Sequence, residues 1–490
     1  MKSPQRKRMR NRILGITLCL FSLGGIAQEE RPLLNDSIAV LQAGETDSIL
    51  LPVEAYLRQV RYHHPIGRQA LLIRMRAEAE RLKAAGNFDP KLFSEIQQKY
   101  FDEKTYFQLQ NSGLQIPAWF GLSAKAGYEL NEGLFLNNQN TVPGSGLWYG
   151  EVNWTLGRGL FIDQRRAAIK QARLLQEAAE FELLTALNDL MQDALAAYWN
   201  WYESYQILLV YREALDLAQF RFEATRREAQ AGDRALVDTL ESIIQVQDRA
   251  LKLQEAQAAF VQSSNELETF LWLDGMVPLA LGDSTYPGFD LPSLNPLPLD
   301  WLEEHPQLQS TRFQIESNQV ALRLAREGFK PQVDLSYKFL NEPGQPDDFF
   351  AEYSVNNYEW ALSASFPIFV RKARGQVGKA RAKVLEKELD LDLKTRQIQN
   401  KVEALQAELS INLQRVVDAQ AIVNNYRRLL AAENIRFRNG ESSLFLVNRR
   451  ELKYLESREK LIELEAKINV LEAKLQQAAG VLHERVTVNP

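Results

Sequence analysis

Gly232-Asp233-Arg234-Ala235-Leu236 and Gly440-Glu441-Ser442-Ser443-Leu444 stand 208 residues apart, and the reading of this pair decides the fold. Each glycine interrupts a stretch that holds no other Gly and no Pro: residues 160–231 and 233–274 flank the first, 379–439 and 441–479 the second. These arms are rich in Ala, Leu, Glu, Gln and Arg, so each reads as a long helix that the glycine folds back on itself. At 1.5 Å per residue the longer arms reach on the order of 100 Å, well beyond a globular helix. Leu187, Leu190, Ala194, Ala197 and Trp201 recur at three- and four-residue spacing, the stripe of a helix that packs on neighbours. Two hairpins cannot bury such stripes alone, so an oligomer of long antiparallel helices is expected.

Working outward, the duplication holds its register. Arg166 to Ala172 aligns with Arg374 to Ala380 at the same offset of 208. Upstream, Tyr62-His63-His64-Pro65 matches Leu302-Glu303-Glu304-His305-Pro306 at an offset of 241, so the first half carries about 33 additional residues between Gly67 and Trp119. Pro278, Pro287, Pro292, Pro296 and Pro298 mark a linker over 276–300. The expected repeats are 28–275 and 301–482, with helical hairpins at 160–274 and 374–480 and a tail at 483–490. The paired His-Pro steps read as helix starts, with proline in the first turn.

Ahead of each long helix the period changes from 3.6 to 2. Phe120, Leu122, Ala124, Ala126 and Tyr128 alternate with small or charged residues, as do Trp148, Gly150, Val152, Trp154 and Leu156. In the second half Val333, Leu335, Tyr337 and Phe339, then Trp360, Leu362, Ala364 and Phe366, do the same. These runs predict two β-hairpins, at about 117–157 and 331–368, each strand apolar on one face and polar on the other. Trp119, Tyr128, Trp148, Trp154, Tyr358, Trp360 and Phe366 cluster near strand ends, where the two interfaces of a bilayer hold aromatic rings. A half-buried sheet in a soluble protein alternates too; four such strands in two matched hairpins favour the membrane.

Composition removes most other classes. One cysteine, Cys19, excludes a disulfide framework and a Cys-based metal site. Four histidines (His63, His64, His305 and His483) leave little for metal or nucleophile chemistry, and no GxSxG, P-loop or HExxH motif is present. A net charge of −5 gives no electrostatic footprint for nucleic acid. No enzyme and no cofactor are expected. Residues 1–27 read as an export signal: a basic start from Lys2 to Arg12, an apolar run from Ile13 to Leu23, and small residues ending at Ala27. Its removal takes six cations away, moving the charge from −5 to −11. Lipidation at Cys19 fits poorly, because Leu18 stands where a small residue is wanted. Elsewhere no apolar stretch approaches the ~20 residues of a spanning helix, so any membrane crossing must be a closed barrel.

Four strands cannot close a barrel, since about eight are the smallest number that encloses an interior. Three chains sharing one barrel would supply twelve and remove every free edge.

A leader followed by two repeats of short helix, β-hairpin, very long helix, glycine turn and helix resembles the TolC-type outer-membrane efflux protein family. Phe366-Pro367-Ile368-Phe369 ahead of Arg374, Gly328-Phe329-Lys330-Pro331 entering a strand, and Gly440 to Phe445 at the second turn carry the likeness over about residues 51–482. The resemblance implies a mainly α fold with a small β part. It implies a homotrimer with a 12-stranded outer-membrane barrel, four strands per chain, continued by a long periplasmic α-helical barrel. It further implies a passive exit duct for an efflux pump or a type I secretion system, set in outer-membrane lipid and joined to an inner-membrane pump through a periplasmic adaptor. On that likeness Gly232, Asp233, Leu236, Gly440, Glu441, Ser442, Ser443 and Leu444 are the adaptor-docking tips. Asp238 and Glu241 match acidic gate positions of the family, while the second-half equivalents are Leu446 and Arg449, with Arg450 adjacent, so a latch from Asp238 and Glu241 to Arg449 or Arg450 of a neighbouring hairpin is expected. The additional first-half segment, which includes Asn87-Phe88-Asp89-Pro90, departs from the family pattern and belongs either to an equatorial strap or to the strand entrance. A periplasmic coiled-coil stalk without a pore is the rival reading, and it has no use for polar-faced strands.

Overall fold

A computed structural model describes residues 49–282, 284–288, 296–342 and 354–486. The leader, Cys19, Pro292 and the tip of the second β-hairpin loop lie outside the described residues.

Among the described residues seven helices carry the architecture: α1 (Val53–His63), α2 (Pro65–Ala85), α3 (Gln164–Gln230), α4 (Leu236–Glu268), α5 (Pro306–Glu327), α6 (Arg371–Arg438) and α7 (Leu444–Ala478). Their starts follow from local chemistry. His64 and His305, both buried, place Nδ1 at 3.2 Å from the backbone N–H of Ile66 and Gln307, so each imidazole caps the helix that its proline opens. Burial pushes both imidazoles below their ordinary pKa, which keeps the capping nitrogen unprotonated. Asp163 accepts from the Arg166 N–H at 2.8 Å and sets the start of α3 at Gln164. Helix α6 begins at Arg371, ahead of the glycine-free run at 379. Gly375 and Gly378 sit inside it with open space around the missing Cβ, a cost of roughly 1 kcal/mol each that the long helix absorbs.

Helix α3 (67 residues) pairs with α4, and α6 (68 residues) with α7; α3 also packs on α7, α2 and α5, and α5 on α6. The largest apolar cluster gathers Tyr56, Leu57 and Val60 of α1, Leu190, Met191, Leu195, Tyr198 and Trp201 of α3, and Leu267 of α4 with Leu271 just beyond its end. The Tyr198 hydroxyl donates to the Leu51 carbonyl at 2.7 Å, so this wide ring is buried without an orphaned polar atom. Contacts run in the order α4, α3, α7, α6. Both outer members leave apolar side chains uncovered: Leu240, Ile244 and Val261 on α4, and Leu385, Leu389 and Ile411 on α6.

One antiparallel sheet holds six strands: β1 (Lys91–Phe101), β2 (Lys104–Pro117), β3 (Leu122–Glu132), β4 (Leu147–Thr155), β5 (Gln332–Asn341) and β6 (Tyr358–Ser365), in the order β6-β5-β4-β3-β2-β1. The four expected strands are β3 to β6, with β4 paired to β5 across the two repeats. The sheet holds two further strands beside these four. The additional first-half segment is neither a strap nor an entrance; it is a β-hairpin, turned by Asp102 and Glu103 at positive φ, that pairs along the free edge of β3. Its strands escape a period-two reading because Gln97, Gln98, Gln108 and Gln110 put polar groups on both faces.

Register assigns the faces. Tyr128 pairs with Trp148, Val152 with Tyr337, Trp154 with Leu335, Trp360 with Tyr337 and Leu362 with Leu335, all on one apolar face. Lys125, Glu129, Glu151, Asp334, Lys338 and Glu359 fall on the other.

Candidate functional site

Two places carry the candidate residues: the turns that end the helical hairpins, and the two faces of the sheet. At both turns the backbone is the same. Gly232 (φ 84°) and Gly440 (φ 77°) take the left-handed conformation, with nothing within 4 Å of a would-be Cβ, so glycine is there for φ alone. The Asp233 N–H donates to the Glu228 carbonyl at 3.0 Å and Gly232 N–H to Ala229 at 3.1 Å. The second turn repeats this, with Glu441 to Arg436 at 2.8 Å and Gly440 to Phe437 at 3.1 Å. Each is a Schellman closure that satisfies the last carbonyls of the incoming helix.

Side chains then separate the two turns. Ser442 donates to the Glu433 carboxylate at 2.6 Å, and Arg436 and Arg450 stand at 3.7 Å from the same group. The Ser442 hydroxyl, with the two guanidiniums, holds the Glu433 carboxyl below its ordinary pKa. Ser443 caps α7 through the Leu446 N–H, and Leu444 is buried at 2 % exposure. At the first turn Arg234 pairs with Glu228 and lies 4.4 Å over the Phe437 ring, Ala235 offers α4 no side-chain cap, and Leu236 is 81 % exposed.

Within one chain the residues expected to form the latch have other partners. Arg450 goes to Glu433 of its own hairpin, Arg449 is exposed, and no hydrogen bond or ion pair joins either arginine to Asp238 or Glu241 among the described residues. Glu241 instead accepts from the Asn448 amide at 3.1 Å. Asn448 in turn faces Arg221 at 3.2 Å, and Arg221 reaches the buried Glu451 at 2.5 Å. This clamp ties α3, α4 and α7 together, and the sequence reading missed three of its four members. Asn448 and Glu451 are three residues apart and buried on one face of α7, a polar pair on an inward stripe. That was the available signal, and only the fold shows that Arg221 meets it.

On the sheet, Tyr128 and Trp148 rings lie 5.0 Å apart, Tyr337 and Tyr358 rings 5.7 Å. Trp119 precedes β3 and stacks on Phe88 at 4.8 Å, and Phe366 follows β6 with its ring exposed. The polar face is an ionic network: Lys338 lies 2.8 Å from Glu129, 3.8 Å from Glu359 and 4.4 Å over the Tyr149 ring, while Thr155 donates to Asp334 at 2.8 Å. Among the described residues no helix is long and apolar enough to cross a membrane and no cluster of metal-ligating side chains occurs.

The family profile described as outer membrane efflux protein matches residues 125–271 and 297–481. No curated protein matches. Among solved structures, the open state of the MtrE outer membrane channel of Neisseria gonorrhoeae superposes with a TM-score of 0.65 at 14% identity, over 89% of this chain and 91% of that one. The CmeC outer membrane channel of Campylobacter jejuni gives 0.60 at 14%, over 94% of each, and the outer-membrane channel OprN gives 0.63 at 17%, over 87% and 89%. These likenesses, each over at least 87% of this chain, show the fold.

Proposed function

The chain belongs to the outer membrane efflux protein family, and from that premise we propose that three copies close into one continuous tube that passes substrates outward without catalysing a reaction. The chain is an exit duct for efflux: its sheet sits in the outer membrane and its helices stand in the periplasm. The observation that carries trimeric closure is the coincidence of two unsatisfied margins in one chain. The sheet ends on two unpaired edges, β1 and β6, and the helical layer ends on the uncovered apolar residues of α4 and α6. Backbone groups left unpaired in hydrocarbon cost several kcal/mol each, and apolar stripes left in water cost about 25 cal/mol per Å². A neighbour on each side removes both costs at once.

The turns at Gly232 and Gly440 end the hairpins and hence the tube. Leu236, Val237 and Leu240 on one and Phe445 on the other are exposed there, apolar groups available to a periplasmic adaptor that joins the duct to an inner-membrane pump. The stalk reading is less favoured, because it gives the Lys338 network no water-filled space to line.

Purification in detergent followed by planar-bilayer recording tests the reading. Expected are an oligomer of three chains that persists in unheated detergent gels, dissociates on heating, and conducts ions in steps. A monomer that leaves the bilayer silent would overturn it.

A further inference from the structure

We propose that β1 of one copy pairs with β6 of the next, so that each chain contributes six strands and the barrel closes with eighteen. This rests on the trimeric duct proposed above and concerns how its sheets meet.

Three observations tie the β1–β2 hairpin into the barrel wall. First, it is built onto β3: ten residue pairs run from Gln108–Glu132 to Pro117–Ser123. Gly113 stands opposite Gly127, and the Tyr149 hydroxyl of β4 crosses above Gly127 to reach Asn111 of β2 at 2.9 Å. A side chain at Gly127 would strike that hydroxyl at 2.7 Å, so the glycine makes room for a bond that spans three strands. Second, the hairpin continues the apolar face. Leu92, Ile96, Leu114 and Ile116 fall on the side of Val152 and Trp154, and the two serines among them, Ser94 and Ser112, bond each other at 2.8 Å. Its glutamines, Gln98, Gln108 and Gln110, come at the loop end, beyond the Tyr128–Trp148 pair. Third, among the described residues β1 and β6 are the strands of this sheet with one neighbour, and six antiparallel strands leave them running in opposite directions, as an antiparallel seam requires.

Charge and shape set the register of that seam. The row Lys91–Gln115–Lys125–Glu151–Lys338–Glu359 climbs from the first residue of β1 to the second of β6. In a barrel whose strands tilt by about 35–45°, such a row must re-enter the next copy higher up its β1. Entering at Lys99 continues the alternation Lys125, Glu151, Lys338, Glu359 with another cation on the same polar face. The same register brings Leu362 beside Ile96, Phe366 beside Leu92 and Tyr358 beside Tyr100 on the apolar face. Closure with twelve strands would instead require β6 of the neighbour to strip the hairpin from β3, breaking the Tyr149–Asn111 bond and the ten pairs. It would also bring Glu359 to the upper end of β3, where Glu129 carries the same charge.

Paired cysteines decide between the two seams. Two double variants, Lys99→Cys with Glu359→Cys and Asn131→Cys with Glu359→Cys, are purified in detergent, oxidised, and run on gels without reductant beside the single variants. The expected result is that most of the first double variant runs as a covalent trimer after heating, and that neither single variant does. Covalent trimers from the second double variant, and none from the first, would overturn eighteen strands while leaving the trimeric duct intact. Heated and unheated samples that are monomeric for both pairs would overturn the duct reading and the seam together.

Discussion

The two turns that end the helical hairpins share a backbone and differ in everything attached to it. Both close through a left-handed glycine and the same pair of backbone hydrogen bonds. Yet Leu444 is buried where its counterpart Leu236 is exposed, Ser443 caps where Ala235 does not, and Glu433 gathers Ser442, Arg436 and Arg450 where the first turn has the Arg234–Glu228 pair and a ring contact across to Phe437. Duplication preserved what the chain direction needs, namely a tight reversal with satisfied carbonyls. Divergence then acted on anchoring. The second turn is fastened within its own hairpin, whereas the first adds to its own Arg234–Glu228 pair contacts to the second hairpin at Phe437 and Asn448.

The sharpest way to break that comparison is to cut the clamp between the hairpins. Arg221→Ala leaves the buried Glu451 carboxylate without its countercharge and Asn448 without a donor, a loss of about 3 kcal/mol for a buried pair. Hydrogen exchange should then show the first turn, through Glu241, loosening more than the second, which keeps its Glu433–Ser442 tie. Equal loosening of both turns would mean that they are anchored alike.

How much of this was legible beforehand divides along physical lines. The long helices and both turns could be read because a lone glycine in a breaker-free run has one economical explanation, and because the 208-residue offset repeats it. Strands β3 to β6 were legible through alternation. The β1–β2 hairpin was not, since Gln97-Gln98 and Gln108 to Ser112 are polar on both faces and mimic a loop. Helix α6 starts at Arg371, three residues ahead of the expected 374, and runs through Gly375 and Gly378, which a helix of 68 residues tolerates. The partners of the charged residues beside the turns were illegible for another reason. On long charged helices most Arg and Glu are solvated, and only packing reveals that Arg450 turns to Glu433 and Arg221 to Glu451.

Acid offers a second, reversible way to test the asymmetry. The Glu433 carboxyl sits below its ordinary value of 4.5 because the Ser442 hydroxyl and then Arg436 and Arg450 favour the ionised form. Its contribution is therefore fully present above pH 4.5 and is lost as the pH falls through the lowered folded value. Exchange at the second turn should rise toward that of the first as the pH is taken below 4.5, and Glu433→Gln should show the smaller difference already at neutral pH. A difference between the turns that ignores pH, in both proteins, would remove Glu433 from the account.

The smallest effect comes from exchanging the caps. Ser443 supplies an oxygen to the Leu446 N–H at 3.4 Å, a long bond, and Ala235 supplies none to the start of α4. Ser443→Ala should cost about 0.5–1 kcal/mol of local stability at the second turn, at the low end for cap removal because the bond is long. Ala235→Ser should return a similar amount to the first, since the residue already has the extended backbone of a cap (φ −70°, ψ 143°). Made together, the two changes should narrow the difference in exchange between the turns without abolishing it, because Leu444 stays buried and Leu236 stays exposed. Reversal of the order of the turns would show that capping, rather than burial and the Glu433 tie, sets their relative stability.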